Sequence, residues 1–209
     1  MSEVKTNKLT AATGTAITLG DSGDTFTVPS GATLAVASGA TIDASAGTAT
    51  GFGKVLQVVS ETKTDTQSVA GNIGWTTVID LAITPSSTSS KVLLIANMSA
   101  SADYRYSAFK AFRDSTGIAI GDSAGSRTPI TTPISANSDE SSQSYVMRST
   151  GFNFLDSPST TSAVTYAVKV TSAHGNAAYI TYINRTPGDQ NGNYTGRAVS
   201  TLTLMEIAG

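Results

Sequence analysis

Glycine returns at positions 23, 31, 39 and 47 of a 209-residue chain, and its neighbours return with it. Ser22-Gly23-Asp24-Thr25-Phe26 is followed by Ser30-Gly31-Ala32-Thr33-Leu34 and Ser38-Gly39-Ala40-Thr41-Ile42, each eight residues on, and Ala46-Gly47-Thr48-Ala49-Thr50 is a degenerate fourth copy. A glycine in every unit admits positive φ or close backbone approach, so each marks a turn. The apolar residue three positions later (Phe26, Leu34, Ile42) stands where a short strand begins, and Val28 and Val36 keep its register. Two apolar side chains per eight residues do not offset the roughly 1–2 kcal/mol that ordering each backbone residue costs. Units of this kind become stable by stacking or by winding with other chains, and four copies are few for a self-sufficient solenoid. The expectation is a thin β shaft over residues 20–53, in which copies from several chains wrap a common axis. Phe26, Val28, Leu34, Val36 and Ile42 would be the contacts between copies. A flexible Ser/Gly/Thr linker is the competing reading, although linkers do not hold apolar residues in register.

Charge narrows the function. Asp, Glu, Lys and Arg make up 13% of the chain, about half the usual share of roughly 25%. Thirteen basic residues against fifteen acidic ones leave a net charge of −2, which supplies no basic face for nucleic acid. Cysteine is absent, so disulfides, thiolate zinc sites, iron–sulfur clusters and cysteine nucleophiles are excluded. A single histidine, His174, argues against a His-built metal cage or relay. No apolar run reaches the length of a membrane span. The opening Met1-Ser2-Glu3-Val4-Lys5 lacks the apolar core of a signal peptide, so secretion by that route is not expected. Ser and Thr together reach about 60 residues. Such a hydroxyl-rich, β-branched composition favours strands and turns over helices.

Residues 50–53 read as a joint, and residues 54–209 as a second domain with about ten strand candidates: 54–59, 75–83, 91–98, 104–112, 117–121, 143–148, 152–155, 163–170, 178–183 and 198–207. No stretch keeps a helical period. The pattern predicts an all-β fold, a β-sandwich or jelly roll. Alternation puts Trp75, Thr77, Ile79, Leu81 and Ile83 on one face. It also groups Tyr104, Tyr106, Ala108, Lys110 and Phe112. The strands at 163–170 and 198–207 are apolar on both faces, unlike a sheet with one face in water. For the last strand this means either a central position beneath a loop or a second face set against another subunit.

Catalytic signals are weak. Asp103, Asp114, Asp139, Glu140, Asp156, Asp189 and Glu206 form no recognisable paired motif, and the expectation is no enzyme, no metal and no cofactor. His174 falls in a hairpin turn, where it is either a solvated turn residue or a ligand contact. Residues 20–24 resemble a hard-cation loop but lack a full ligand set, and Asx-turn chemistry accounts for them. The glycosylation triplets at Asn97, Asn184 and Asn193 carry no meaning without a secretion signal. The most suggestive segment is 184–197, a long polar loop with Asn184, Arg185, Asp189, Gln190, Asn191, Asn193, Tyr194 and Arg197 as candidate receptor contacts. Amides, a carboxylate and an aromatic ring suit sugar hydroxyls and ring faces, and long loops on rigid β scaffolds often carry recognition. A solvated connection is the competing reading. A second such loop spans 121–140.

Residues 20–34, then Thr50-Gly51-Phe52-Gly53-Lys54-Val55-Leu56-Gln57-Val58-Val59, resemble the N-terminal part of fibre-like virion proteins of marine bacteriophages, including those infecting cyanobacteria. The opening Val4-Lys5-Thr6-Asn7-Lys8-Leu9 and the ending Thr203-Leu204-Met205-Glu206-Ile207-Ala208-Gly209 are similar too. The resemblance covers roughly the first 60 residues and the last strand. It implies a homotrimer on the virion exterior, tail or capsid. Residues 1–19 would attach to other virion proteins, the shaft would follow, and a C-terminal sandwich head would meet a host-surface glycan. A capsid decoration or head fibre without a receptor role is the alternative; a small carbohydrate-active enzyme of the same β class is a third.

Overall fold

The computed structural model describes residues 14, 23–40, 55–71, 74–103, 106–135, 145–172 and 177–209. Two compact units divide the chain, Met1–Gly51 and Phe52–Gly209. The attachment segment, the joint at 50–53, Ile42, Tyr104, Asp139, Glu140 and His174 lie outside the described residues, except for Gly14.

In the first unit the glycine period is a backbone period. The amide of Ala32 donates to the Pro29 carbonyl, and that of Ala40 donates to the Ala37 carbonyl, each at 3.0 Å. The third residues of these turns, Gly31 and Gly39, have φ of +83° and +84°. A β-turn with positive φ at its third position is of type II, the turn that calls for glycine there. Gly23 repeats the sign, at +95°. Between the turns, 24–29 and 32–37 carry no helix or ladder assignment, and every residue from 23 to 40 is exposed in the single chain. Phe26 is 67% exposed and Leu34 63%.

The described residues of the second unit are all-β, with eleven strands in two antiparallel sheets. They are β1 (Val55–Lys63), β2 (Gln67–Ala70), β3 (Thr76–Ile83), β4 (Lys91–Ala102), β5 (Tyr106–Arg113), β6 (Thr116–Ile118), β7 (Thr132–Ser135), β8 (Arg148–Asp156), β9 (Val164–Ser172), β10 (Ile180–Ile183) and β11 (Ser200–Ile207). The first sheet runs β1-β11-β4-β10-β2, with β8 also on β4. Its register resolves the apparent three-way pairing of β4. Asn97 faces both Thr201 and Gly151, and Ala100 faces both Ile183 and Arg148. So β10 and β11 lie end to end along one edge of β4, and β8 takes the other. Beyond them β1 pairs β11 and β2 pairs β10. The second sheet runs β3-β9-β5, with β6 and β7 sharing the far edge of β5.

One core lies between the sheets. Leu94, Met98, Leu202, Leu204 and Ile183 of the first meet Phe109, Tyr166, Val168 and Val170 of the second, all fully buried. Each such side chain contributes roughly 1.5–3 kcal/mol of burial.

Three departures from the sequence pattern have local causes. β3 carries a bulge between Thr77 and Ile79, so Val78 and Ile79 are both buried and strict alternation fails. In place of the separate strands expected at 143–148 and 152–155, of which 143–144 lie outside the described residues, β8 runs unbroken from Arg148 through Gly151 to Asp156. A Cβ at Gly151 would sit 3.1 Å from the Ala96 carbonyl oxygen. That glycine serves close strand approach, not a turn. Within the loop expected over 121–140, β7 pairs with β5. Pro133 in β7 costs no ladder bond because β7 is an edge strand.

Candidate binding surface

The loop after β10 starts from a buried asparagine. Asn184 has φ of +60°, a region asparagine tolerates better than most residues. Its amide nitrogen donates to the carbonyls of Lys63 (2.8 Å) and Asp65 (3.0 Å), and its side-chain oxygen accepts from the Ser200 hydroxyl (2.7 Å). Its backbone amide donates to Ser99 O, and its carbonyl accepts from Ala198 N. The residue therefore ties the β1–β2 break to the β10–β11 break and closes the base of the loop.

Arg185 follows as a second support. Its guanidinium lies 4.1 Å from the Tyr182 ring centroid and donates to Thr186 O, Pro187 O and Ser68 Oγ. Tyr182 in turn donates to Asp103 at 2.9 Å. Burial and that hydrogen bond push its pKa up to about 12. Arg185 and Arg197 form a β-bridge that narrows the loop.

Above this base the loop is closed by its own polar groups. Arg197 Nη2 meets Asp189 Oδ1 at 2.5 Å, and Arg185 stands 3.8 Å from the same carboxylate. The Thr195 hydroxyl donates to Gln190 O (2.6 Å) and lies 2.9 Å from Gly192 O, while Tyr194 OH donates to Gln190 Oε1 at 3.3 Å. A shallow cavity of about 300 Å³ results, lined by Asp189, Gln190, Asn191, Gly192, Thr195 and Arg197. The Tyr194 ring meets Tyr145 edge to face, centroids 4.9 Å apart. Preset amides, an ion pair and an aromatic pair suit reversible binding of a polar, ring-bearing ligand.

The candidate receptor residues thus separate into two groups. Asp189, Gln190, Asn191 and Arg197 line the cavity, and Asn193 and Tyr194 are exposed beside it. Asn184 is fully buried and its amide is committed to backbone, so it does not face a partner as expected; Arg185 is half-buried and braces the base of the loop. Tyr145, the partner ring, carried no sequence signal because 49 residues separate it from Tyr194. A cluster on the outer face of the second sheet was also missed. There Trp75 and Phe112 lie 6.2 Å apart, Lys110 covers Trp75, and Lys169 covers Phe112.

The described carboxylates named in the sequence have structural partners. Asp156 receives Arg113 (2.8 and 3.0 Å) and the buried Tyr166 hydroxyl (2.7 Å). Burial first, then that hydrogen bond, raises the tyrosine pKa. Asp114 Oδ1 accepts from the Thr165 amide. Glu206 is fully buried and accepts from Ser86 N, Ser86 Oγ and Gln57 Nε2 at 2.6–2.7 Å. Burial pushes its pKa up, but these donors outweigh it and hold the value at about 2. A carboxyl kept ionised in this way does not serve as a general acid near neutral pH. Among the described residues no three His, Asp or Glu side chains gather as a metal cage, and no helix is long and apolar enough to cross a membrane.

No protein-family model and no curated protein matches the chain.

Proposed function

We propose that the chain is a non-enzymatic bacteriophage virion fibre protein. Residues 1–19 attach it to the particle. Residues 20–53 wind with two sister copies into a β shaft. Residues 54–209 form a jelly-roll-like sandwich head that presents the loop at 184–197 to a host-surface glycan.

The observation that carries this reading is the repeated type II turn. Turns at 29–32 and 37–40 recur with the sequence period, and the apolar residues between them, Phe26, Val28, Leu34 and Val36, are all exposed. Periodic order with no burial of its own calls for burial against identical neighbours. The polar cavity and its tyrosine pair support the glycan part. Three weak sites on one particle would gain by avidity.

Sedimentation equilibrium of the purified chain tests the assembly. Three chains of 21.3 kDa in an elongated particle are expected; a folded monomer overturns the proposal. Adsorption to host cells tests recognition. Replacing 189–195 with a short Gly-Ser turn in an intact trimer should abolish it. Unchanged adsorption overturns the receptor role and leaves a capsid decoration.

A further inference from the structure

The outer face of the first sheet carries apolar residues where a water-facing sheet should carry polar ones. Register places Val58 opposite Met205, Met205 opposite Leu93, and Leu93 opposite Leu155. This is an unbroken apolar row across β1, β11, β4 and β8. Burial along β11 alternates strictly, Ser200, Leu202, Leu204 and Glu206 facing the core, so Met205 and its row face outward. Val58 is 53% exposed and Leu155 48%. Ile95 extends the patch on one side of the row and Val55 on the other. Over these four strands Lys91 alone among the outward-facing residues bears a charge. No described residue covers the row.

We infer that this face is the surface through which the C-terminal unit packs on other copies of the same chain, which names the contact the fibre reading requires and rests on that reading. Size selects the occupant. Four strands at about 4.8 Å and three rows at about 6.8 Å give roughly 400 Å². A stable, specific interface takes about 800 Å² per partner. The patch is too small to capture a free protein unaided, but ample for a partner already held nearby. Assembly through the first unit supplies such a partner. Val55 opens β1 four positions after Gly51, the end of the unit with the glycine turns. Copies joined through that unit hold their β1 strands at high effective concentration. The near absence of charge fits self-association, because an identical face brings no like-charge repulsion beyond Lys91. It also explains why the last strand is apolar on both sides: Leu202 and Leu204 serve the core, while Met205 and Ile207 serve the neighbour.

The chain lacks cysteine, so single thiols report accessibility cleanly. The full-length chain with Leu155→Cys, and separately with Val58→Cys, is compared with Asp80→Cys, an exposed position on the other sheet. Maleimide labelling is followed under reducing conditions, with mass in solution measured in parallel. The expected result is an oligomer in which positions 155 and 58 react about tenfold more slowly than position 80, because the reagent must await opening of the contact. All three should react alike once mild denaturant separates the copies. An oligomer whose three thiols react equally overturns the face and leaves the fibre reading standing. A folded monomer overturns both. As a second arm, Val58→Glu with Leu155→Glu should retain the circular-dichroism spectrum and shift dissociation to higher protein concentration; an unchanged dissociation curve overturns the inference.

Discussion

Asn184 reaches across 121 positions of sequence to donate its side-chain amide to the backbone carbonyl of Lys63, 2.8 Å away. One side chain thereby joins two places where the first sheet changes strands. Asn184→Ala should remove three hydrogen bonds, one of them fully buried, and leave alanine at φ of +60°, costing about 3 kcal/mol. Asn184→Gly relieves the backbone but not the lost bonds, and should cost about 2 kcal/mol. Urea midpoints in the order wild type, glycine, alanine are expected; wild-type midpoints for both would remove the asparagine from the stability of the sheet.

Glu206 ties β11 to β1 and to the loop before β4, and its pKa of about 2 lies below the ordinary 4.5. A depressed folded-state pKa contributes stability that is complete above about 4.5 and is lost as pH falls towards 2. The difference between 4.5 and about 2 corresponds to roughly 3 kcal/mol. Glu206→Gln should remove most of that contribution at pH 7, since its NH₂ then faces the donor of Gln57. The variant's unfolding free energy should change less than wild type's between pH 5 and 2. Parallel acid limbs would refute this.

The Tyr166 hydroxyl and Arg113 share Asp156. Tyr166→Phe deletes one donor and leaves the carboxylate with its arginine, so a loss of about 1–1.5 kcal/mol is expected. Asp156→Ala strands a buried hydroxyl and a half-buried guanidinium, and should cost about 3 kcal/mol or more. Equal thermal shifts for the two variants would contradict the arrangement.

Gly31 and Gly39 meet nothing within 4 Å where a Cβ would stand, but their φ values are positive. Alanine at either should therefore act through the backbone alone, at about 1 kcal/mol per turn. Asparagine, which tolerates that region, should cost less. The segment between Lys8 and Lys54 holds no Lys or Arg, so chymotrypsin at Phe26 and Leu34 is the suitable probe. Faster cleavage in the double alanine variant is expected; unaltered cleavage would show that the turns contribute nothing to its order.

Much of the second unit was legible because alternation and turn residues are local properties. Strands β1, β3, β4, β5, β6, β9, β10 and β11 fall where apolar periodicity put them, within a few residues. The break expected between 148 and 152 and the loop expected over 121–140 differ from the structure because glycine and proline mark turns, close approach and edge strands alike, and only the neighbouring strand separates these meanings at Gly151 and Pro133. In the candidate surface the residue types were readable and their roles were not. Asn184 reads as a surface amide until Lys63 and Asp65 are seen around it.

The sequence by itself determined the β class, the spacing of the glycine turns and the double-sided apolarity of the last strand, since each is written in the order of neighbouring residues. Tertiary structure decided which polar side chains are spent inside the molecule, that Tyr145 meets Tyr194, and that Val58, Met205, Leu93 and Leu155 stand in one row. Those outcomes depend on register between strands as far apart as Val55 and Ile207, and register is fixed by the whole core rather than by any local stretch of chain.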